Sequence, residues 1–310
     1  MKKYQFYTAD VFTDRIFGGN PLAVLPHATG LKTQQMQQIA AEFNYSETVF
    51  VLPPQTPGGT RQLRIFTPTT ELPFAGHPTV GTAYILGLIG EILLNEPEII
   101  VIFEEGVGPV PVTIRSQQGK PLYTELTAAK LPEFSDETPS IRELASILGL
   151  DPQDLRKDDY SPQIVSCGLP FLFIGLDNRQ TLRRIQFNRD RWQQILGNNW
   201  ANCIYVFCFD PERPGSHLRS RMFAPSMGIM EDPATGSAAT ALGGYLARRD
   251  SLNDGKLHWR VEQGFEMGRP SILEITTQKQ AGNITEIRVG GQSVLVSEGS
   301  IQIPDSSHNN

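Results

Sequence analysis

The sequence is poor in cysteine and has no long apolar run. Three cysteines in 310 residues, with no Cys-x-x-Cys spacing, indicate buried thiols and argue against a disulfide framework or a structural zinc site. The longest apolar stretch, residues 84–94, is interrupted by Glu91 and falls short of the roughly 20 residues of a membrane span. We therefore expect a core helix there and no membrane partner. The N-terminal residues lack the apolar core of a signal peptide, which predicts a cytoplasmic protein.

Basic residues are neither numerous nor clustered. There are 27 Lys and Arg against 33 Asp and Glu, which gives a formal net charge of −6. Without a basic stripe to neutralise phosphates, a nucleic acid is excluded as the expected partner. An apolar fraction of 39% is ordinary for a globular protein, and 310 residues exceed what one hydrophobic core usually fills. The bulk composition therefore predicts two domains.

An internal repeat organises the chain. Residues 64–68 (Arg-Ile-Phe-Thr-Pro) match residues 221–225 (Arg-Met-Phe-Ala-Pro) at an offset of 157 residues. Downstream, the spacing of Glu71, Pro73 and Gly76 recurs in the second half at an offset of 160, so a loop there carries three extra residues. Two matched blocks in the same order predict a duplicated fold. In the second half of the chain, the three matching residues are Glu231, Pro233 and Gly236.

Each copy shows the order strand, loop, glycine, helix, which predicts an α/β (α+β) fold of two pseudo-repeated lobes. The helices after Gly76 and Gly236 carry almost no charge over their first three turns, as a helix surrounded by sheet requires. We expect an N-terminal lobe of residues 1–120, to which residues 300–306 return, and a C-terminal lobe of residues 121–299. Residues 120–134 are expected to cross between the lobes.

The two helix starts are candidate anion sites. Glycine allows close backbone approach, and the free N–H groups of a first helical turn attract negative charge. Gly76 and Gly236 could together hold a substrate carboxylate in a cleft between the lobes. The structural alternative, that each glycine only permits close packing of helix and strand, is about equally well supported by the sequence.

Acidic residues distinguish the two copies. Asp232 aligns with Leu72, and Glu47 aligns with Ile204, so each lobe carries one carboxylate that the other lacks. Two carboxylates in different environments are a common way of dividing acid and base roles near neutral pH. The alternatives remain open, because Asp232 could cap the following helix and Glu47 could be a solvated strand end.

The residues that follow the two glycines can also reach a ligand or cap the helix. These are His77 and Ser237. Ser237 lacks the Gly-x-Ser-x-Gly elbow of a serine hydrolase, and the other histidines show no ligand spacing around His77, so no metal is expected. The pair Gly106 and Gly108 is too short a motif for a dinucleotide site.

Four motifs occur in order along nearly the whole chain. They are residues 10–12 with 19–21, residues 44–48 (Asn-Tyr-Ser-Glu-Thr), residues 74–78 (Phe-Ala-Gly-His-Pro) and residues 231–237 (Glu-Asp-Pro-Ala-Thr-Gly-Ser). Together they resemble the motifs of the PhzF-like phenazine biosynthesis isomerase family, which has the diaminopimelate epimerase-like fold. The resemblance implies two lobes, each a mostly antiparallel sheet wrapped around a central helix.

The resemblance implies a 1,3 proton shift on a small cyclic carboxylate, with Glu47 as the base. It also implies a homodimer that works without metal or organic cofactor. The remaining residues of the expected site are His77, Asp232 and Ser237, which would bind and polarise the substrate, Gly76 and Gly236, which would supply backbone donors, and Asn20 and Ser46, which would lie close to the pocket.

Racemases of the same fold carry a cysteine immediately before each helix glycine, where this chain has Ala75 and Thr235. A two-thiol racemase or epimerase mechanism is therefore excluded. The competing hypothesis is a non-catalytic protein that binds small carboxylates on the same fold.

Overall fold

The structure is a computed structural model that describes residues 1–304. The chain divides into two compact units, Met1–Thr127 with Gly291–Asn310 and Ala128–Gly290, and the described part of the first unit ends at residue 304. The domain bounds predicted from the sequence stay a prediction, and residues 305 and 306 of the predicted return lie outside the described residues. The chain passes from the first unit to the second after Thr127, within the expected crossover of residues 120–134, which also contains one whole strand and the start of another.

The first unit is a sheet with one internal helix and one outer helix. Its strand order is β18-β1-β2-β3-β4-β6-β7-β8, with the short β5 also paired to β4. The pairs β2/β3 and β4/β6 are parallel and the others are antiparallel. The elements are β1 (Lys2–Val11), β2 (Asn20–Leu25), α1 (Thr33–Phe43), β3 (Glu47–Leu52), β4 (Arg61–Phe66), β5 (Glu71–Leu72), α2 (Gly76–Leu88), β6 (Glu98–Glu105), β7 (Gly108–Gln117), β8 (Lys120–Thr127) and β18 (Ser293–Ile303).

The second unit repeats this topology. Its order is β9-β10-β11-β12-β13-β15-β16-β17, with β14 also on β13, and the pairs β11/β12 and β13/β15 are parallel. The elements are β9 (Glu133–Ser135), α3 (Ile141–Leu148), β10 (Gln163–Ser166), β11 (Pro170–Gly175), α4 (Arg179–Arg183), α5 (Arg189–Leu196), β12 (Cys203–Cys208), β13 (Leu218–Ala224), a 3-10 turn (Pro225–Met227), β14 (Ile229–Asp232), α6 (Gly236–Ala247), β15 (Gly255–Gln263), β16 (Ser271–Gln280) and β17 (Asn283–Gly291).

The central helices α2 and α6 are apolar on all sides because each lies inside its own sheet. In α2, residues 76–87 are all buried, and the helix contacts strands β1, β2, β3, β7, β8 and β18. In α6 every residue is buried except Ser237, and the helix contacts β10, β11 and β16. The predicted fold class is confirmed, since each unit is a mostly antiparallel sheet around one helix.

The outer helices are amphipathic and cover part of the other face of each sheet. On α1, Met36, Ile39 and Ala40 pack into a cluster with Phe50 and Phe66. In the second unit, α3 and α5 contribute to a larger cluster beneath the sheet. In the first unit α1 buries the second face of the strands that it contacts, β3 and β4, whereas Ile100 of β6 and Leu122 of β8 are exposed.

Candidate functional site

Glu47 is a buried carboxylate at the start of a central strand. It is the first residue of β3, where it pairs in parallel register with Leu22 of β2, and it is 7% exposed. The chain arrives from α1, which ends at Asn44 in the left-handed conformation (φ 53°), and Ser46 follows half-buried in the turn. The alternative that Glu47 is a solvated strand end is therefore wrong.

Three polar side chains meet at the start of α2. Asn20 is the first residue of β2, and its Nδ2 lies 3.1 Å from Nδ1 of His77. On the other side of the ring, Nε2 of His77 lies 3.3 Å from Oε2 of Glu47. Gly76 and Ser46 stand next to His77 and Glu47 in the chain, so the first unit gathers all five of its predicted site residues.

His77 is a neutral imidazole at physiological pH. Burial, only partly offset by a hydrogen bond to the Pro21 backbone, lowers the pKa of His77 to about 3. Asn20 offers the ring a donor and Pro21 offers it an acceptor, so the single hydrogen of the neutral ring can sit on either nitrogen. Nε2 can therefore be a donor or an acceptor, and it faces Oε2 of Glu47 at 3.3 Å without meeting hydrogen-bond geometry.

Asp232 anchors the matching loop of the second unit. It is the last residue of β14 and is 4% exposed, and its Oδ2 accepts a hydrogen bond of 2.5 Å from the hydroxyl of Thr235. Gly236 and Ser237 follow as the first two residues of α6. The second unit therefore brings its three predicted site residues onto one short segment, residues 232–237.

Gln263 supports this segment, and the sequence analysis missed it. Its Nε2 donates to the backbone O of Asp232 at 2.8 Å and to Oγ1 of Thr235 at 3.0 Å, and its Oε1 accepts from the backbone N of Thr235 at 3.2 Å. Tyr205 donates its hydroxyl hydrogen to the same Oε1 at 3.4 Å. A fully hydrogen-bonded buried amide of this kind holds the backbone on both sides of Pro233 in place.

The first unit has an equivalent support that the sequence analysis also missed. Glu105 ends β6 as Gln263 ends β15, and each is followed by a glycine, Gly106 or Gly264. A Cβ at Gly106 would lie 2.8 Å from Cα of Pro73, and one at Gly264 would lie 2.5 Å from O of Pro233. The internal repeat could have revealed this pair. Glu105 and Gln263 are 158 residues apart, which lies between the offsets of 157 and 160 found for the other matched residues.

The described residues show neither a membrane helix nor a metal cluster. Among residues 1–304, no helix is both long and apolar enough to cross a membrane. Over the same residues, no group of three or more His, Cys, Asp or Glu side chains is placed to hold a metal ion. The three cysteines are free and buried away from the positions before the helix glycines, where Ala75 and Thr235 stand at the N-caps.

Comparisons with known proteins show the family of the chain. The model of the phenazine biosynthesis-like protein family, PhzC-PhzF, matches residues 9–299. The chain is 38% identical to a protein of Mesorhizobium japonicum named an uncharacterized isomerase, over 98% of this chain and 100% of that protein. It is 32% identical to the trans-2,3-dihydro-3-hydroxyanthranilate isomerase of Pseudomonas aeruginosa, over 96% of this chain and 98% of that enzyme.

A solved structure shares the fold over its full length. The PhzF-family phenazine biosynthesis protein of Bacillus anthracis matches with a TM-score of 0.88 at 27% identity, covering 98% of this chain and 100% of that one. The predicted family resemblance and the prediction of an enzyme of the isomerase class are confirmed. The chain belongs to the phenazine biosynthesis-like protein family, PhzC-PhzF.

Proposed function

We propose that this isomerase moves a proton between two carbons of a small cyclic carboxylate, with Glu47 as the general base that takes and returns it. The observation that carries the proposal is the buried contact of 3.3 Å between Glu47 and the neutral ring of His77. A base that serves both half-steps must be stable with and without its proton. His77 supports both forms, because its hydrogen can move between the two ring nitrogens.

The neutral state of His77 matters for the strength of the base. An imidazolium at this distance would form an ion pair and would hold the carboxylate in its charged form. A neutral imidazole packs against the carboxylate and adds no positive charge to the contact. Burial keeps bulk water away from the pair, as proton transfer from carbon requires.

The start of α2 is suited to the negative charge of the substrate and of the intermediate. The first-turn N–H groups of a helix have no acceptor within the helix and carry the positive end of its dipole. Gly76 places these groups beside His77 without a side chain in the way. We assign binding of the substrate's anionic group to this turn, with Asn20 and Ser46 as neighbouring polar contacts.

The second unit contributes the other predicted binding residues. Ser237 is the one residue of α6 that is not fully buried, so its hydroxyl is accessible at a helix start. Asp232 is held by Thr235 and so presents a defined carboxylate orientation. With Gly236, these residues are proposed to bind polar groups of the substrate. The homodimer and the cytoplasmic location stay predictions.

A dihydro-hydroxyanthranilate is the substrate class that the family relatives suggest, since the Pseudomonas aeruginosa relative is named for it. In the proposed step, Glu47 takes a proton from a carbon next to a double bond, the electron pair shifts the double bond by one position, and Glu47 returns the proton at the far end. The substrate is neither oxidised nor reduced, so the step needs no electron acceptor.

The test follows trans-2,3-dihydro-3-hydroxyanthranilate by NMR in deuterated water with the wild-type protein and Glu47→Gln. The wild type should consume the substrate, with deuterium entering the product to the extent that the proton on Glu47 exchanges with solvent before its return, and Glu47→Gln should be slower by roughly 10²–10⁴-fold. Glu42→Gln, on the exposed face of α1, is the matched control and should behave as the wild type.

Equal rates in the wild type and Glu47→Gln would refute the assignment of the base. Binding without turnover or exchange in the wild type would refute this substrate class. A compound bound with the same affinity by both proteins, and exchanged by neither, would favour the competing hypothesis of a carboxylate-binding protein for that ligand.

A further inference from the structure

Glu105 is a buried carboxyl group that the proposed reaction does not use. It ends β6 at the wall of a groove of about 720 Å³ in the first unit and is 9% exposed. Its Oε1 lies 2.6 Å from the hydroxyl oxygen of Thr79 in the first turn of α2. Its Oε2 is buried and has no hydrogen-bond partner among the described residues. An ionised carboxylate left in this state would be strongly disfavoured.

The contacts of the Thr79 hydroxyl fit a protonated Glu105. The hydroxyl oxygen of Thr79 lies 2.7 Å from the backbone O of Ala75, one helical turn earlier, and 2.6 Å from Oε1 of Glu105. A hydroxyl group has one hydrogen, and a backbone carbonyl has none to give. When the Thr79 hydrogen points at Ala75, the contact to Glu105 needs a hydrogen from the carboxylic acid.

The second copy of the repeat supports the same conclusion. Gln263 occupies the position of Glu105 at the end of the matching strand and is a neutral group of nearly the same shape. It too reaches the loop before the central helix, through Asp232 and Thr235. A neutral amide in one copy and a protonated acid in the other serve the same bracing role.

Glu105 is linked to the proposed site by two short routes. Thr79 follows His77 by two residues in the first turn of α2 and carries the hydrogen bond to Ala75 at the helix cap. The backbone N of Val107, two residues after Glu105, donates to O of Pro73 at 3.2 Å, just before the residues that lead into α2. The end of β6 thus braces both sides of the segment that carries His77.

We propose that Glu105, in its protonated form, is a positioning residue that fixes the first turn of α2 through Thr79 and so holds His77 against Glu47. This inference rests on the proposed function of Glu47 and His77 and assigns them a support outside the substrate's reach. Loss of the proton places a charge on a buried group whose Oε2 has no hydrogen-bond partner among the described residues, and it turns the Thr79 hydroxyl away from Ala75 toward the carboxylate, so the turn loosens.

The surroundings of Glu105 agree with this assignment. Burial raises the pKa of Glu105 to about 8, and the hydrogen bond from Thr79 offsets this only in part. The charged groups that share its groove are Arg64 of β4, Glu71 of β5 and Glu104 of β6, while α2 brings His77. Arg64 is already bound by Glu71 through two hydrogen bonds of 2.7 and 2.6 Å, so its charge is largely balanced. The wall formed by β7 supplies Gly108 and Pro109, which carry no charge.

The test compares Glu105→Ala, Glu105→Gln and the wild type between pH 6 and 9.5, with Glu42→Ala as the surface control. At pH 7 Glu105→Ala should lower the rate of deuterium incorporation about tenfold, because a small displacement of a catalytic group is costly. Glu105→Gln should restore most of that loss. The reaction rate of the wild type should decrease above pH 8, whereas that of Glu105→Gln should not decrease there. If Glu105→Gln is as slow as Glu105→Ala, or keeps the alkaline fall, the proposal is overturned.

A second readout does not depend on turnover. Carbon-13 NMR of the wild-type carboxyl groups, with the Glu105 signal identified by its absence in Glu105→Gln, should show titration near pH 8. The nitrogen-15 shifts of the His77 ring should change with the same midpoint and stay constant in Glu105→Gln. A Glu105 carboxyl that titrates near its ordinary value of 4.5 would overturn the proposal even in a fully active enzyme. If these shifts behave as expected while the substrate is not turned over, the positioning role stands and the substrate assignment fails.

Discussion

Nε2 of His77 lies 3.3 Å from Oε2 of Glu47, although the two residues are 30 positions apart in the chain and belong to different elements. Both side chains are buried. Because the pKa of His77 is lowered to about 3, the contact joins a neutral ring and a carboxyl group and is not an ion pair. The two atoms are within reach of each other but do not meet hydrogen-bond geometry.

The position of the Glu47 carboxyl should matter as much as its charge. Glu47→Asp keeps the charge but withdraws the carboxylate by one methylene from both His77 and the substrate. We expect kcat to fall by about 10²-fold with a smaller change in KM, because proton transfer depends steeply on distance. Steady-state kinetics on the dihydro-hydroxyanthranilate would show it. Equal losses for Glu47→Asp and Glu42→Asp would contradict the assignment.

The buried neutral His77 should make the protein sensitive to acid. The unfolded chain binds a proton near pH 6.5, whereas the folded chain binds it only near pH 3. Between these values unfolding takes up a proton, so this group's contribution to stability is present above pH 6.5 and is lost as the pH falls toward 3. Urea unfolding as a function of pH should show a shallower acid loss in His77→Gln than in the wild type. His27→Gln, whose ring is 63% exposed, is the control and should leave the profile unchanged.

Glu105 should make the free energy of unfolding decrease as the pH rises, which is the opposite of the effect of His77. Its folded pKa of about 8 lies above its ordinary value of 4.5, so folding binds a proton between these two values. The stability that this group contributes is full below pH 4.5 and is lost as the pH rises through 8. At pH 9 Glu105→Gln should therefore have a higher free energy of unfolding than the wild type, with a smaller difference at pH 5. A constant difference at both pH values would contradict the buried, protonated state.

Gln263 should hold the Asp232 segment through its two N–H donors. Gln263→Glu keeps the size but removes both donors, to Asp232 O and to Thr235 Oγ1. We expect the free energy of unfolding to fall by about 1–3 kcal/mol, the cost of leaving buried polar groups unsatisfied. Thermal unfolding at pH 7 would measure it, with exposed Gln117→Glu as the control. An unchanged melting temperature would show that this amide carries no structural role.

The glycines that follow these two residues should tolerate no side chain. At Gly106 a Cβ would meet Pro73, and at Gly264 it would meet two backbone oxygens at 2.5 Å, with φ at +76° as a further strain. Each change to alanine should cost about 1–3 kcal/mol of stability from the clash alone.

Gly90→Ala separates the clash from the backbone strain. Gly90 has a similar φ of +80° but nothing within 4 Å of the added Cβ. Gly264→Ala should therefore be clearly more destabilising than Gly90→Ala in urea unfolding. Equal losses would show that only the backbone conformation matters at Gly264.

Much of the architecture could be predicted from the sequence. The matched segments around Arg64 and Arg221 predicted two copies of one fold, and the paired strands and central helices confirm it. The charge-poor helices after Gly76 and Gly236 were correctly expected inside a sheet, because burial on every side leaves no place for charge. Residues 120–134 were expected to cross between the lobes, and the boundary between the two units, after Thr127, lies among them. The strand β8 in this range was not predicted, because a buried strand and a buried connection have the same apolar pattern.

The family, the repeat and the residue types available for chemistry could be predicted from the sequence, because these are properties of order and spacing along the chain. Whether Glu47 is solvated, which group it contacts, and what Glu105 and Gln263 do could not be predicted in this way. These points depend on how the chain folds. Burial and contacts between distant segments determine which groups lose water and which partner they receive, and these two factors determine whether His77 and Glu105 carry charge.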